Sequence, residues 1–142
     1  IGNPPYIQAS AVLSNEESEK LMEFRRDIEK TKDYETLEGR WDIFVPFIER
    51  GIKNLLKEHG HMGFIVSDSI EVTPYSRKIR EYMGNKTSIL QIDFFPKLKL
   101  FYNVGVHNTI FILKNEKPDE KHLTKRYKHL KDDLSDYKKI TD

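Results

Sequence analysis

The residues best suited to chemistry in this sequence are Asn3, Pro4, Pro5 and Tyr6, which form a short Asn-Pro-Pro-Tyr motif. Two consecutive prolines fix the backbone and remove two amide donors, and Pro4 keeps Asn3 out of the helical region. The motif therefore predicts a rigid corner from which Asn3 and Tyr6 project in set directions.

This corner offers two hydrogen-bond acceptors, the side-chain carbonyl of Asn3 and the main-chain carbonyl of Pro4. Together they can grip both hydrogens of a planar amino group, such as that of adenine, whose nitrogen lone pair is delocalised into the ring. Drawing that nitrogen toward tetrahedral geometry favours in-line attack on a sulfonium methyl, while Tyr6 offers a flat face for stacking. Such catalysis rests on positioning and electrostatics. A simple turn capped by Asn3 is the alternative interpretation.

The corner needs a strand before it and an α/β framework around it. Residues 1–6 are typical of a strand exit, and ligands bind at the carboxyl ends of strands in open α/β sheets. A capping box of Ser14 and Glu17 opens a predicted helix over 15–32. A second, apolar-faced helix is predicted to be capped by Asp42 and ended by Gly60.

Three further strands and one more helix are predicted downstream. The apolar run at 62–66 is typical of a strand buried on both faces, and strands also follow at 89–95 and 106–113. Thr73 and Pro74 predict a helix start, and Gly84 is predicted to end that helix. This order predicts an α/β fold, the second half of a twisted sheet that ends in a β-hairpin, with its first half absent.

Composition limits the remaining possibilities. The 142 residues suffice for one domain, and the net charge of +1 places any contact with nucleic acid in local basic clusters. The absence of cysteine excludes disulfides and thiolate chemistry. No apolar run approaches the roughly 20 residues of a membrane span, so a soluble, cytoplasmic protein is predicted. Because the chain opens on Ile1 inside the motif, we expect it to be part of a longer protein.

Four segments together resemble one known family. They are 'GNPPY', 'RWDIFVPFIERGIKNLLKEHGHMGFIVSDS', 'YSRKIREYM' and 'IDFFPKLKLFYNVGVHNTIFIL'. The combination resembles the gamma-class amino-DNA methyltransferases, above all the adenine-N6-specific enzymes of type IIG restriction–modification proteins. The resemblance implies a Rossmann-like domain that uses S-adenosylmethionine (SAM) to methylate a flipped-out adenine in double-stranded DNA. It also implies a target-recognition domain and, in fused members, a nuclease domain in the same parent chain.

The resemblance assigns roles to individual residues. Its catalytic motif matches Asn3 to Tyr6, and its aromatic that packs on the flipped base matches Phe101. A 'YDLF'-like segment matches Trp41 to Phe44 and is expected to be mainly structural. The chain departs from the family pattern at 67–70, where Ser-Asp-Ser-Ile replaces the usual Pro-Asn-Lys-Phe/Trp stretch.

The residues near Phe101 suggest substrate contacts. Stacking on an aromatic returns about 1–3 kcal/mol per base against the cost of base flipping, although Phe101 also suits plain core packing. Lys97 and Lys99 flank the same loop and can meet phosphates on either side of an extruded nucleotide. His107 is predicted either to line the base pocket or to face solvent.

No SAM site is predicted within these residues. None of the seven glycines forms the Gly-x-Gly turn that such a site needs, so the cofactor half is expected upstream of Ile1. We therefore expect no methylation by this chain alone and no binding of SAM. His59 and His61 are too few for a metal site.

Residues 1–114 are thus predicted to be the target-base half of a catalytic domain. Residues 115–142 are charged and poor in apolar side chains, and are predicted to be a linker toward a recognition domain. Within them a basic run could touch DNA, although Asp132, Asp133 and Asp136 dilute it; the run comprises Lys121, Lys125, Arg126 and Lys128.

Other functions share this motif. Asn-Pro-Pro-Tyr also suits methylation of a glutamine amide in a protein or of adenine in RNA, because those nitrogens are equally poor nucleophiles. Methylation of cytosine N4 is a third alternative, and a non-catalytic DNA-binding or scaffold module is a fourth.

Overall fold

The computed structural model describes residues 1–5, 15–98, 100–101 and 106–131. The helices are α1 (Asn15–Thr31), α2 (Phe44–Arg50, continued by a π-helical turn over Gly51–Leu55), α3 (Ser69–Val72) and α4 (Arg77–Lys86, preceded by a 3-10 turn over Pro74–Ser76). The strands are β1 (His61–Ser67), β2 (Ser88–Phe95), β3 (Asn108–Lys114) and β4 (Lys125–Lys128).

The four strands form one mixed sheet in the order β1-β3-β2-β4. β3 runs antiparallel to both β1 and β2, whereas β4 runs parallel to β2. The start of the chain joins the free side of β1 through a parallel bridge between Gly2 and Phe64. The predicted β-hairpin is therefore present as β2 and β3, and the predicted α/β class is confirmed.

One face of the sheet packs against the helices and forms the core. Phe64 and Ile92 both pair with Phe111. Directly paired residues lie on the same face of a sheet, so the three side chains are neighbours on this face. Apolar side chains of the helices and of the segment before α2 cover it. The most deeply buried of all these side chains are Trp41, Val45, Ile48, Val66, Ile79, Phe111 and Leu113.

Polar contacts attach the segment between α1 and α2 to this core. The carboxylate of Glu49 is fully buried and accepts hydrogen bonds from the backbone amides of Glu35 and Thr36 and from the Thr36 hydroxyl, at 2.9, 3.0 and 2.5 Å. The Trp41 indole N–H donates to Glu29 of α1 at 2.8 Å. α1 is therefore joined to the core through a buried aromatic residue.

Three predicted helix boundaries were wrong in their detail. The N-cap residue of α2 is Ile43 and not Asp42, whose carboxylate accepts a hydrogen bond from Ser69. The left-handed residue after α2 is His59, at φ 57°, and not Gly60. Gly84 lies inside α4, which continues to Lys86 because an exposed glycine only weakens a helix.

The segment after Lys114 also differs from its prediction. It was expected to leave the domain as a linker, but Lys125–Lys128 return to the sheet as β4. Composition did not reveal this strand because all four of its side chains are exposed, so the pattern carries no apolar alternation. The strand over 62–66 was predicted to be buried on both faces. It is instead buried mainly on the face toward the helices, since Gly63 and Ile65 on the other face are only half-buried.

A membrane-spanning helix and a cluster of metal-binding side chains are both absent from the described ranges. No helix there is both long and apolar enough for a membrane span. No group of three or more His, Asp or Glu side chains there is arranged to hold a metal ion.

Candidate active site at the carboxyl edge of the sheet

Most of the predicted site residues converge on one edge of the sheet, here called the carboxyl edge. The Gly2 bridge, β1, β2 and β4 all end there, and β3 begins there because it runs antiparallel to β1 and β2. At this edge Ser67 and Phe95 both pair with Asn108, and the Asp68 amide donates to the His107 carbonyl at 3.0 Å. Residues from distant parts of the sequence therefore meet where an open α/β sheet binds its ligands.

Gly2 fixes the corner against β1. Its amide donates to the Gly63 carbonyl at 2.9 Å, and its own carbonyl accepts from the Ile65 amide at 3.1 Å. A Cβ atom at this position would lie only 2.2 Å from Cε1 of Phe64. Glycine is thus needed because the backbone passes directly over an aromatic ring.

The Asn-Pro-Pro corner leaves the sheet immediately after this bridge. Pro4 is buried, whereas Asn3 and Pro5 are exposed. The side chain of Asn3 has no hydrogen-bond partner within the described part of the chain, so its amide group is available to a ligand. Tyr6, the last residue of the motif, lies outside the described residues.

The turn after β1 forms the neighbouring wall of the site. The Ser69 amide donates to Oγ of Ser67 at 3.2 Å, and Oγ of Ser69 donates to Oδ2 of Asp42 at 2.7 Å. This is the segment that departs from the family pattern. Asp42, in the 'WDIF' segment, therefore holds the turn beside the corner.

Asp68, at the centre of this turn, is electrostatically perturbed. Burial is the largest influence and raises the pKa of its carboxyl group, and the nearby charge of Glu71 adds to the effect. His107 and a hydrogen bond from Ser67 oppose this and favour the ionised form. An acid whose pKa is shifted by burial within a cleft is a common property of functional sites.

The connection between β2 and β3 carries the remaining predicted residues. It leaves the carboxyl edge after Phe95 and returns to it at Asn108. Lys97 is exposed on it, Phe101 and His107 are half-buried, and Nδ1 of His107 is enclosed without a described partner. Lys99 lies outside the described residues.

Two polar features of this edge were not predicted from the sequence. Asn108 is 1% exposed, and its amide donates a long hydrogen bond of 3.4 Å to the Val66 carbonyl. His129, just after β4, bonds Asp93 at 2.7 Å and stacks on Phe95 with ring centroids 4.5 Å apart. The only sequence signal for Asn108 was a polar residue opening an apolar strand, and His129 had none because β4 was not predicted.

The residues present fit the acceptor side of a methyl transfer and do not fit the SAM side. At the carboxyl edge β1 continues into Ser67-Asp68-Ser69 and β2 into Pro96, and neither turn is rich in glycine. A turn of that kind would be needed to approach the methionine part of the cofactor closely.

Comparison with known proteins agrees with this geometry. Residues 1–101 match the family model described as Eco57I restriction-modification methylase. The chain belongs to this family. The matched range contains the corner, β1, β2 and Phe101, which are the parts that build the carboxyl edge.

Two curated relatives are also type II methyltransferases. The type II methyltransferase M.BstVI of Geobacillus stearothermophilus is 29% identical over 121 residues, which is 84% of this chain and 20% of that protein. M.PaeR7I of Pseudomonas aeruginosa is 30% identical over 117 residues, 82% of this chain and 18% of that protein. The chain thus spans about a fifth of the length of these curated relatives.

Solved structures show the same fold. The type IIL restriction-modification enzyme MmeI, solved in complex with DNA, matches 91% of this chain and 16% of its own, with a TM-score of 0.58 and 15% identity. A Listeria monocytogenes protein assigned to the class I SAM-dependent methyltransferases matches 79% of this chain and 36% of its own, with a TM-score of 0.56 and 24% identity. The sheet described here is thus part of a SAM-dependent methyltransferase fold.

Proposed function

We propose that this chain is the target-base half of an enzyme that methylates N6 of adenine in double-stranded DNA within a restriction–modification system. The observation that carries the proposal is an Asn-Pro-Pro corner with an exposed Asn3, at the carboxyl end of a segment that pairs in parallel with β1. Family membership supports the reaction class, since the relatives named above are type II methyltransferases.

The corner activates the amine. Oδ1 of Asn3 and the Pro4 carbonyl accept hydrogen bonds from the two N6 hydrogens of a flipped adenine and draw the nitrogen toward tetrahedral geometry, which localises its lone pair on N6. SAM supplies, when bound, an electrophilic methyl group on sulfur. After methylation the positively charged nitrogen loses one of its two protons to water. The two acceptors hold the N6 protons in place until then. Because the corner is rigid, this alignment costs little reorganisation.

The connection between β2 and β3 holds the substrate. Phe101 stacks on the flipped base from the side opposite Tyr6, which returns about 1–3 kcal/mol against the cost of flipping. His107 lines the base pocket beside Asp68. Lys97 and Lys99 contact phosphates on either side of the extruded nucleotide.

The proposal also covers the parts of the enzyme that bind the other ligands. Residues 1–114 form the target-base half of the catalytic domain, and 115–142 add β4 to its sheet before leading toward a target-recognition domain. The SAM-binding half is contributed by residues upstream of Ile1, and a nuclease domain belongs to the same parent chain in the fused form of such systems. The enzyme acts in the cytoplasm, where its DNA lies.

Replacing Asn3 in the full-length protein tests the reaction directly. Asn3→Ala should lower methyl incorporation into duplex DNA at least about 100-fold, the usual effect of removing one positioned polar group, and should leave DNA affinity nearly unchanged. Asn85→Ala is the matched control, because Asn85 is equally exposed but lies near the opposite edge of the sheet. Full activity of the Asn3 variant would remove Asn3 from the mechanism.

Mass spectrometry of digested product DNA distinguishes the alternatives. N6-methyladenine is the expected nucleoside, whereas N4-methylcytosine, or methyl transfer to RNA or to a protein glutamine, would contradict the assignment. A calorimetric titration of the 142-residue chain with SAM should show no binding. Micromolar affinity would contradict the placement of the cofactor half outside it.

A further inference from the structure

Positive charge is concentrated in one stretch near the end of the described residues. Between Lys121 and Lys131 the sequence holds five Lys or Arg residues and no Asp or Glu, although the whole chain has a net charge of only +1. This stretch contains β4 and the residues at each end of it. The charge is therefore attached to a defined strand of the sheet.

β4 is an edge strand whose side chains are exposed on both faces, with Lys125 and Lys128 on opposite faces because side chains alternate along a strand. All four of its residues are exposed, and Tyr127 retains 45% of its accessible surface. Arg126 forms an ion pair with Glu71 of α3. Within the described ranges, Lys125 and Lys128 form no ion pair, so their charges are available to an external anion.

Polar contacts fix the position of this strand at both ends. Before it, the His122 ring and the Thr124 hydroxyl each bond the Ile89 carbonyl at 2.8 Å. After it, the His129 amide donates to the Phe94 carbonyl at 2.9 Å, and the His129 ring bonds Asp93. Since β4 buries little apolar surface, these contacts and its backbone pairing with β2 hold it in place. The lysines are thus carried by a preorganised backbone.

The position of β4 relative to the corner sets a distance. In the order Gly2 bridge, β1, β3, β2, β4 there are four strand spacings, or about 19 Å at roughly 4.8 Å each. β4 also runs parallel to β2, so Lys128 approaches the same carboxyl edge as Asn3. Along duplex DNA, with one phosphate per strand every 3.4 Å or so, about 19 Å corresponds to roughly five or six base pairs.

We propose that β4 is a DNA-backbone contact that binds phosphates about five or six base pairs from the target adenine, through Lys125 and Lys128. This inference rests on the proposed function, because it takes the substrate to be duplex DNA. Lysines on an edge strand also prevent pairing with other strands. That role requires neither anchors at both ends of the strand nor a fixed distance from the corner.

The salt dependence of DNA binding measures these contacts. In the full-length protein, Lys125→Gln with Lys128→Gln should lower the slope of log affinity against log salt by about two, since each phosphate contributes roughly 0.9. The matched control is Lys57→Gln with Lys86→Gln, which removes the same charge from exposed positions before β1 and β2, at the opposite edge. An equal slope for the two double variants would overturn the proposal.

Neutral phosphates locate the contact. Single methylphosphonates placed along a duplex should weaken binding to the wild type most at about five or six base pairs from the target, and should have no such effect on the Lys125/Lys128 variant. Equal weakening of binding at every methylphosphonate position would overturn the proposal. Aggregation of the Lys125/Lys128 variant without a change in the salt dependence of DNA binding would also overturn it. If the wild type binds no duplex DNA, the proposed function fails as well. If the wild type binds duplex DNA and the Lys125/Lys128 variant binds it with the same affinity and salt slope, only the role of β4 is rejected.

Discussion

The helical face and the carboxyl edge of the same sheet are built from opposite kinds of residue. The helical face is closed by buried apolar side chains such as Ile48, Ile79 and Phe111. The carboxyl edge presents an exposed amide at Asn3, a half-buried ring at Phe101 and a perturbed carboxyl at Asp68. Substitutions on the helical face should therefore change stability, and those at the edge should change activity.

The largest effect on stability is expected at Glu49. Glu49→Ala leaves two backbone amides and the Thr36 hydroxyl without their acceptor, and each orphaned group costs about 1–3 kcal/mol. Chemical denaturation of the full-length protein should show a loss of at least about 3 kcal/mol for the unit that contains the sheet. Glu58→Ala, at an exposed position, is the control. Similar losses in both variants would contradict the structural role of the buried carboxylate.

Gly2 lies between the two regions, and its replacement should affect both. Gly2→Ala places a Cβ atom against the Phe64 ring, and overpacking of this kind costs about 1–3 kcal/mol. Because the corner must move away from β1, we expect methylation to fall together with the melting temperature. Gly84→Ala, where a Cβ would meet no atom within 4 Å, should leave both unchanged or slightly raise stability. Unchanged activity in the Gly2 variant would show that the corner tolerates displacement.

Phe101 should affect activity alone. Phe101→Ala removes about 1–3 kcal/mol of base stacking, so kcat/KM should fall about 5- to 150-fold, while Phe101→Trp should retain most of the activity. The control is Phe47→Ala, a phenylalanine 47% exposed on α2. A fall in melting temperature without a change in kcat/KM would instead assign Phe101 to the core.

The smallest effect is expected at Asp68 and depends on pH. Burial raises the pKa of this carboxyl group above the ordinary 3.8, so the folded state favours the protonated form. The free energy of unfolding therefore includes a contribution from the protonated carboxyl group that is fully present below the ordinary pKa. This contribution is lost as pH rises through the raised pKa of the folded state. Asp68→Asn should therefore melt at a higher temperature than the wild type at pH 7, and the difference should shrink as pH falls toward 3.8. A variant less stable at pH 7 would contradict this sign.

Several elements were predictable because the local pattern and the global packing agree there. α1, β1, β2 and β3 lie within one or two residues of their predicted bounds. The strand before the Asn-Pro-Pro sequence was also predictable, and the parallel bridge between Gly2 and Phe64 confirms it. Family membership was also recognisable from the order of the motifs.

The remaining features depend on contacts between distant residues. Asp42 has the sequence features of a helix cap, but Ser69, 27 positions later, takes its carboxylate. β4 has no apolar pattern, and its placement depends on hydrogen bonds to Ile89 and Phe94, more than 30 residues earlier. Sequence patterns report burial and local propensity, so they do not reveal elements held by polar pairing alone.

The fourth strand also decides the direction in which the polypeptide continues. Had the chain left the sheet at Lys114, where β3 ends, it would have left at the opposite edge, about 23 Å from the carboxyl edge at roughly 3.3 Å per residue. One additional pass along β2 brings the chain back to the carboxyl edge, because β4 runs parallel to β2 and Lys128 pairs with Phe94. A short polar strand thereby sets the edge of the sheet at which the described residues end.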